Sequence, residues 1–245
     1  MPRFFVTADN IEDDKISILG DDAYHIARSL RMAVGDGLVV CDGEGMEYSC
    51  TLTKIRDEAC ECRIESQEVS TREPSVYISL YMAFPKGDKL ETVVQKAVEL
   101  GASEIIPFES SRCIKKPKAE KVDKQTARLD RIAREAAKQC GRSKLPTVHA
   151  PLGYNEMLKR ANEAQLSLFC YEDERATTIR EAIEGKEFSS LSIIIGSEGG
   201  FSAEEAAAAA KAGCTSVTLG PRILRCETAP AYALTAVSYE TELKK

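Results

Sequence analysis

The sequence predicts an α/β protein in which a parallel sheet, covered by helices on both faces, follows a small β-barrel. Residues 76–245 alternate between short apolar runs and helical segments, which is the pattern of a parallel sheet. Residues 1–70 carry short strand-like runs separated by turn signals, which is typical of a barrel. With 43% hydrophobic and 29% charged residues over 245 positions, the composition is that of a folded globular protein, so we exclude the disordered and fibrous classes.

The predicted barrel contains four strands and one short helix. Turn signals such as Asp42, Gly43 and Gly45 separate the strands. The strands are expected at residues 4–6, 37–41, 48–55 and 60–67, and the helix at 22–32. Residues 71–75 are polar, contain a proline and lack periodicity, so we predict a linker there between a first domain at 1–70 and a second at 76–245.

The second domain is predicted to contain five main strands and six helices. The strands are expected at 76–84, 104–108, 166–171, 191–195 and 216–219, with a short extended piece around 148. The helices are expected at 89–100, 122–140, 155–164, 178–183, 203–212 and from about 230 to about 243. Asp88 with Glu91 has the spacing of a helix N-terminal cap, and Ser202 with Glu205 has that of a capping box.

Cysteine usage and the absence of targeting signals bound the class of protein. The nine cysteines are odd in number and form no C-x-x-C pair, so we interpret them as buried thiols of a cytoplasmic protein. His25 and His149 lie away from any cysteine pair, so no metal is expected. The N-terminal residues lack the apolar core of a secretory signal, and no apolar run is long enough to cross a membrane.

The formal net charge of −6 is unevenly distributed along the chain. Residues 112–144 contain twelve Lys or Arg and four Asp or Glu, a net charge of +8 that leaves −14 for the remainder. Such a basic stretch can contact phosphates, since each neutralised phosphate releases counterions. The alternative, a solvated helix face without a partner, stays open on charge alone.

Two loops of the second domain have the features of a ligand site. The first, at residues 196–200, contains three glycines after an apolar strand and precedes a capped helix, so its main chain can approach a ligand closely. The second, at 219–229, follows the next strand. Ligands of open α/β sheets bind beyond the carboxyl ends of the strands, so both loops fall where a site is expected. A glycine turn of this kind also serves as a plain strand-to-helix connection.

Well-known phosphate and nucleophile motifs are absent. The chain has neither G-x-G-x-x-G nor G-x-x-x-x-G-K-[ST], so a dinucleotide fold and a P-loop have no support. A nucleophile elbow is also excluded, because Ser197 directly follows Gly196 whereas the elbow needs one residue between them. The residues by themselves therefore leave the substrate open.

Six short motifs in one order carry a family resemblance. They lie at residues 85–88 with 95–101, 105–107, 111–112, 135–142, 195–200 and 219–229, and residues 2–5 and 25–45 extend the likeness to the N-terminal region. From end to end the chain resembles the RsmE family of RNA methyltransferases, which has a PUA-like barrel before a SPOUT methyltransferase domain. It departs from the family pattern at Ser197, where proline is expected, and at Cys226, where threonine is expected. Neither change removes a glycine or a charge, so they bear on the stiffness of the loops.

The resemblance implies a C-terminal trefoil knot that binds S-adenosylmethionine, and a homodimer. The implied activity is methylation of N3 of one uridine, uracil 1498, in the 16S RNA of the assembled small ribosomal subunit, with the barrel binding RNA. Main-chain groups of the two loops and the end of a third strand would hold the donor. The implied cofactor residues are Leu168, Tyr171, Glu172, Ile195, Gly196, Ser197, Glu198, Gly199, Gly200, Leu219, Gly220, Arg222, Ile223, Leu224, Thr228 and Ala229.

Three residues are expected to act in the methyl transfer itself. Glu198 and Glu227 are the carboxylates nearest the expected site, and desolvation could raise the pKa of either toward the working pH, so that it takes the N3 proton. Arg225 could stabilise the uracil anion. Two alternatives stay open: Glu198 as a partner of the helix dipole, and Arg225 with Arg222 as a phosphate grip or a loop brace.

Basic and amide side chains near the motifs are expected to contact RNA. The last four of the set have near-helical spacing and would form a rail for the RNA backbone. Residues 1–70 contain seven basic and fifteen acidic groups, so much of the barrel is expected to face away from RNA. The expected RNA contacts are Arg3, Arg28, Arg31, Lys86, Arg112, Arg134, Lys138, Gln139 and Arg142.

Two rival functions remain at this point. One keeps the fold and changes the substrate to another nucleotide of ribosomal or transfer RNA. The other is a non-catalytic RNA-binding factor in ribosome assembly. The three glycines at 196–200 favour an enzyme, since a purely structural turn could replace at least one of them.

Overall fold

The computed structural model describes residues 1–114, 120 and 122–244. Four lysines of the basic stretch, Lys115, Lys116, Lys118 and Lys121, lie outside the described residues. The chain divides into two compact units, one made of residues 1–73 and 137–145 and the other of 74–136 and 146–245. The break at 73–74 falls inside the predicted linker, whereas the sequence did not predict that 137–145 joins the first unit.

The first unit is built on a sheet that has six strands among the described residues. They are β1 (Arg3–Phe5), β2 (Ile11–Glu12), β3 (Lys15–Leu19), β4 (Gly37–Cys41), β5 (Met46–Ile55) and β6 (Ala59–Val69). Their order is β1-β4-β5-β6-β3-β2, with β1 parallel to β4 and the other neighbours antiparallel. The four predicted strands are present. The sequence missed β2 and β3 because Asp13 and Asp14 interrupt the apolar pattern at their turn, where Asp13 has φ of 43°.

A short helix packs on this sheet. α1 (Asp21–Tyr24) continues as a π-helical turn at His25–Ser29, so the helical region ends three residues before the predicted position. Ala23 and Ile26 are fully buried and pack into the core formed by the inward residues of the strands. This apolar core stabilises the small sheet.

The second unit contains a parallel sheet. Its strands are β7 (Tyr77–Ala83), β8 (Glu104–Glu109), β9 (Thr147–Val148), β10 (Leu152–Gly153), β11 (Leu166–Cys170), β12 (Ser190–Ile195) and β13 (Thr215–Val217). Their order is β10-β8-β7-β12-β11-β13, and β9 also pairs with β8. The prediction of a parallel α/β sheet is confirmed, because each of these pairs is parallel. Nearly every residue of β7, β8 and β12 is buried, as in strands covered on both faces.

Six α-helices of the described residues lie between these strands or after the last of them. They are α2 (Lys89–Glu99), α3 (Val122–Cys140), α4 (Tyr154–Ala161), α5 (Ile179–Ile183), α6 (Ala203–Ala212) and α7 (Thr228–Ser238), which a π-helical turn extends at Tyr239–Leu243. In the second unit α7 packs against α2, α5 and β12, while α4 packs against α6, β7, β8 and β12. Both α3 and α6 begin and end where the sequence predicted.

The two predicted N-terminal caps have different outcomes. Ser202 accepts a hydrogen bond from the N–H of Glu205, and the Glu205 carboxylate accepts one from the N–H of Ser202, so the capping box of α6 is confirmed. Asp88 does precede α2, but its side chain caps no N–H group in the described part of the chain, so that prediction was wrong. The N–H of Glu91 donates instead to the main-chain carbonyl of Asp88.

A buried carboxylate joins residues 137–145 to the sheet of the first unit. Glu47 is 5% exposed, and its carboxylate accepts hydrogen bonds from Arg3, Arg72 and Ser143. Burial alone would raise the pKa of Glu47, but these donors outweigh it and lower the pKa to about 2. Glu47 is therefore ionised at neutral pH and connects β1, the linker and residues 137–145 through one side chain.

Glu47→Gln is expected to lower the free energy of unfolding at pH 7 by about 3–5 kcal/mol, because it leaves the Arg3 guanidinium buried without its counter-ion. Since the pKa of Glu47 is depressed in the folded chain, its contribution is complete above the ordinary value and is lost as pH falls toward 2. The difference between the two proteins in denaturant unfolding should therefore shrink below about pH 4. The control is Glu44→Gln, an exposed change in the same hairpin. Equal losses in both variants would contradict the role of Glu47.

Candidate active site

The carboxyl ends of five neighbouring strands meet at one edge of the sheet in the second unit. Residues 84–88 follow β7, 110–114 follow β8, 171–178 follow β11, 196–202 follow β12 and 218–227 follow β13. Because neighbouring parallel strands end at the same edge, segments that are far apart in sequence lie side by side there.

A cavity with about 790 Å³ of empty space, part of it open to solvent, lies among the segments after β11, β12 and β13. Fourteen of the sixteen residues expected to hold a cofactor line it, so the structure brings the two predicted loops together. The lining residues are Cys170, Tyr171, Glu172, Ile195, Gly196, Ser197, Glu198, Gly199, Gly200, Thr218, Leu219, Gly220, Arg222, Ile223, Leu224, Cys226 and Ala229.

The lining differs from the prediction at five positions. Leu168 is 1% exposed inside β11 and belongs to the core, and Thr228 is exposed at the start of α7, so neither lines the cavity. Cys170 lies within the strand end at 168–172 that was expected to line the pocket, although it was not singled out as a cofactor residue. The sequence missed Thr218 because β13 ends two residues earlier than predicted. Cys226 was noted in the sequence only as a departure from the family pattern.

Phe201 anchors the glycine loop (residues 196–200) in the core. Its ring is 1% exposed, and its centroid lies 4.2 Å from that of Phe169 and 6.3 Å from that of Phe108. Its N–H donates to the Glu172 carboxylate at 2.9 Å. A buried ring and a charge-assisted hydrogen bond therefore hold the end of this loop.

The glycines of this loop make room for atoms of the protein itself. At Gly200, φ is +63° and a Cβ atom would collide with the Glu172 carboxylate. At Gly199, a Cβ atom would lie 3.0 Å from the Cβ of Arg112. In the structure, Gly199 and Gly200 are therefore needed to leave room for neighbouring protein atoms. The sequence had suggested a different need, the close approach of a ligand. Gly220 has φ of +98° and, among the described residues, no heavy atom within 4 Å of its missing Cβ, so the second loop does stay open.

Lys89, the first residue of α2, connects the two loops and was absent from the sequence-based set. Its Nζ lies 3.0 Å from Glu198 Oε1 and 3.2 Å from Glu227 Oε2. The N–H of Lys86 also donates to Glu198 Oε1 at 3.0 Å. The only local signal at Lys89 was its place beside the 85–88 motif, and nothing there indicates partners more than a hundred residues away.

The prediction that desolvation raises the pKa of Glu198 or Glu227 was wrong. Burial does act in that direction on Glu198, but hydrogen bonds from Lys89 and from main-chain N–H groups outweigh it and lower the pKa to about 2. For Glu227, the hydrogen bond from its own main-chain N–H lowers the pKa, with help from Cys226 and Lys89. The same contacts raise the pKa of Lys89. Both carboxylates are therefore ionised and are poor proton acceptors at neutral pH.

Two arginines lie on the second loop. Arg222 lines the cavity, whereas Arg225 does not, and its main-chain carbonyl accepts hydrogen bonds from the N–H groups of Thr228 and Ala229. Both side chains are exposed, and within the described residues neither guanidinium has a hydrogen-bond or ion-pair partner. Both are thus available to an anionic ligand.

Comparison with known proteins assigns the chain to a family. Residues 72–238 match the family model of the RNA methyltransferase domain, and residues 18–65 match that of the RNA methyltransferase PUA domain. The sequence is 35% identical over 251 aligned residues to the ribosomal RNA small subunit methyltransferase E (RsmE) of Bacillus subtilis, covering 99% of this chain and 98% of that protein. The chain belongs to the RsmE family. The resemblance drawn from the sequence motifs is thereby confirmed.

Solved structures extend the RsmE likeness to the fold. The RsmE of Neisseria gonorrhoeae, bound to S-adenosyl methionine, matches with a TM-score of 0.87 at 29% identity and 98% coverage of both chains. A putative methyltransferase of Legionella pneumophila in complex with the same cofactor matches with a TM-score of 0.87 at 29% identity and 97% coverage of both chains. The predicted PUA-like domain before a parallel α/β domain is confirmed.

Three of the expected RNA contacts of this RsmE chain are enclosed in its first unit. The side chains of Arg3, Lys138 and Arg142 are only 9%, 14% and 6% exposed. We therefore remove them from the RNA-contact set, and the predicted rail is wrong at two of its four positions. Helical spacing did not reveal that this face of the segment packs against acidic groups. Arg3 pairs with Glu47, Lys138 with Asp22, and Arg142 with Glu73.

Arg112 has a different place from the one expected. Its Nη1 donates to the carbonyl oxygen of Gly199 at 2.8 Å and lies 3.6 Å from Glu172 Oε1, so it braces the glycine loop. The other expected contacts stay predictions, although Arg28 already pairs with Asp57 at the surface. They are Arg28, Arg31, Lys86 and Gln139, which are exposed, and Arg134, which is half-buried.

Neither a metal-ligand cluster nor a membrane-spanning helix occurs in the described part of the chain. Among residues 1–114, 120 and 122–244, no group of three or more His, Cys, Asp or Glu is arranged to hold a metal ion. No helix in that part of the chain combines the length and the apolar character needed to cross a membrane. All nine cysteines are free, and all except Cys140 are buried.

Gly200→Ala is expected to lower the free energy of unfolding by about 3 kcal/mol, since it adds a strained positive φ and displaces Glu172 from the N–H of Phe201. Gly185→Ala is the matched control: φ there is +71°, but no described heavy atom lies within 4 Å of the added Cβ. At Gly185 only the strain of the positive φ applies, and the free energy of unfolding is expected to fall by about 1 kcal/mol. Chemical denaturation measures both. Equal losses would mean that the Glu172 contact contributes nothing.

Proposed function

We propose that this RsmE protein transfers a methyl group from S-adenosylmethionine to N3 of one uridine in 16S ribosomal RNA, uracil 1498 by family resemblance. The observation that carries the proposal is the cavity between the glycine loop and residues 218–226, at the carboxyl edge of the sheet of a chain that aligns along 99% of its length with an RsmE protein. Main chain from both loops and apolar side chains form much of its wall, which suits a donor with a nucleoside at one end.

Two features of the pocket fit this donor. Gly220 keeps the second loop free of a side chain, which leaves peptide groups accessible to a ligand. The carboxylates of Glu172 and Glu198 line the cavity, which favours a ligand with a positively charged sulfur. Main-chain groups of residues 195–200 and 219–224 would hold the donor, with Tyr171 and Ala229 at the wall. When bound, the donor supplies an electrophilic methyl group.

The chain itself contributes orientation and charge. Alignment of two reactants contributes roughly 7–11 kcal/mol in well-oriented systems. We propose that Arg225, with Arg222, stabilises the negative charge on the uracil oxygens as N3 loses its proton to water. Glu198, which lines the cavity, and Glu227, which does not line it but bonds Lys89, stay in the proposed catalytic set as anions. Their lowered pKa values argue against either one as the base.

The proposal includes the knot and the homodimer that the family resemblance implies. The chain leaves β13 at the edge of the sheet, and α7 returns to pack against β12 and α2, a path that supports threading of the C-terminal segment. Tyr232, Tyr239 and Leu243 are exposed at spacings of seven and four residues, so they form an apolar stripe on the last helix that a second copy could cover. The target base must also be unstacked, at a cost of a few kcal/mol.

Small ribosomal subunits from a strain that lacks RsmE provide the test. Incubation with this protein and S-adenosylmethionine is expected to produce 3-methyluridine at one site, measured by mass spectrometry of digested 16S RNA. Arg225→Ala is expected to slow the transfer by roughly 10²-fold with unchanged donor affinity, because it removes only the stabilisation of the anion. A methylated ribose or another methylated base would point to a different RNA substrate. Absence of both transfer and donor binding in calorimetry would support the non-catalytic assembly factor.

Arg31→Glu is expected to weaken binding to 16S RNA and to reduce the slope of log affinity against log salt by about one, as loss of a phosphate contact does. Affinity for S-adenosylmethionine should not change, because Arg31 belongs to the first unit and the cavity to the second. Lys15→Glu, the same change at an exposed lysine of β3, is the control. If both variants bind RNA equally, the effect is one of net charge and Arg31 is not a contact.

A further inference from the structure

Three chain segments meet at the ammonium group of Lys89. It bonds Glu198 on the glycine loop at 3.0 Å and Glu227, just before α7, at 3.2 Å, and it lies 3.8 Å from the sulfur of Cys226. The side chains of Lys89, Glu198 and Glu227 are 34%, 26% and 24% exposed, so this cluster is largely but not fully shielded from water. One side chain from α2 therefore joins the segments that follow β12 and β13.

The contact differs in kind from the other ion pairs of α2. Lys96 pairs with Glu99 three residues away on the same helix, and its side chain is 49% exposed. Such a local surface pair contributes little to stability and holds no second segment. Lys89 instead bonds carboxylates that lie 109 and 138 positions further along the chain.

Without Lys89, the negative charges of Glu198 and Glu227 would lie close together with no cation between them. Both carboxylate oxygens bond the same ammonium group, so they lie within about 6 Å of each other, a distance at which like charges disfavour joint ionisation. Cys226 does not alter this balance, because burial raises the pKa of its thiol to about 12 and it stays neutral. Lys86 contributes only its main-chain N–H to Glu198.

We infer that Lys89 is a positioning residue of this site, one that holds the glycine loop and the segment before α7 in the single arrangement that forms the donor pocket. One part of the inference, the effect of Lys89 on affinity for S-adenosylmethionine, rests on the proposed function. Lys89 acts through Glu198 and Glu227 and takes no part in the transfer itself.

Stability of the ligand-free protein gives the first test, because it does not depend on the proposed function. In the wild type, the depressed pKa of Glu198 makes its contribution constant above about pH 5. In Lys89→Met the two carboxylates face each other without a cation, which raises the pKa of one above its ordinary value. A carboxyl group whose pKa is raised by folding destabilises the folded chain when it ionises at high pH. This destabilisation disappears at low pH, where the group is protonated. The drop in Tm caused by Lys89→Met should therefore be largest near pH 8 and shrink toward pH 5.

Two further variants separate positioning from simple packing. Lys96→Met, the matched control on α2, should change Tm little and equally at every pH. Lys89→Met combined with Glu227→Gln should recover part of the lost Tm, because the double variant has a single carboxylate at that place. A loss that is constant with pH, or no recovery in the double variant, would overturn the inference. If Lys89→Met fails to fold, Lys89→Gln with and without Glu227→Gln gives the same comparison.

Donor affinity gives the second test. By calorimetry at pH 7, Lys89→Met is expected to bind S-adenosylmethionine at least roughly tenfold more weakly than wild type, and Lys89→Arg is expected to restore most of that loss. Wild-type affinity in Lys89→Met would overturn the inference, even where the Tm result agrees. If the wild type itself does not bind the donor, the proposed function fails, while the Tm series still decides whether Lys89 holds the two segments.

Discussion

Parallel pairing of β11 with both β12 and β13 determines where the candidate active site forms. Cys170, the last residue of β11, lies opposite Ile195 and Val217, the last residues of its two neighbours. The three strands therefore end at the same position along the sheet, and the loops that follow them start side by side. A shift of one strand by two residues would keep its apolar face buried but move its loop by about 6.6 Å, enough to open the cavity. The register of these strands, more than any single loop residue, sets the shape of the pocket.

Charge-assisted hydrogen bonds then hold the loops at that edge. Arg112, after β8, bonds the Gly199 carbonyl and faces Glu172, and Lys89, after β7, bonds Glu198 and Glu227. In both cases a cation that follows β7 or β8 meets carboxylates that follow β11, β12 or β13. These groups are too near solvent for apolar packing to position them, and bonds between ionised groups are the stronger kind of hydrogen bond. The pocket is thus prearranged by charges that its own sheet brings together.

The parts of the structure that could be predicted from the sequence are those with local causes. The apolar run of β12 and the capping box at Ser202 each act within a few residues, and each has its expected place. The partners of charged side chains are not local: Arg3 pairs with Glu47, 44 positions away, and Lys89 pairs with Glu198. A basic residue in a one-dimensional sequence looks the same whether it meets a phosphate or a buried carboxylate. For that reason the RNA contacts were overestimated, and Lys89 was overlooked.

The low pKa of Glu198 constrains how the proposed reaction can depend on pH. A carboxylate whose pKa is about 2 keeps one charge state from pH 5 to pH 9, so its ionisation cannot produce a change of rate in that range. The pKa of Lys89 is raised by the same contacts, so it also keeps its charge there. A pH dependence near neutrality must then come from the imide proton of the uracil or from a group outside this cluster. Under the proposed reaction, the chain promotes loss of that proton by stabilising the resulting anion, for which the exposed Arg222 and Arg225 are placed on the loop that borders the cavity.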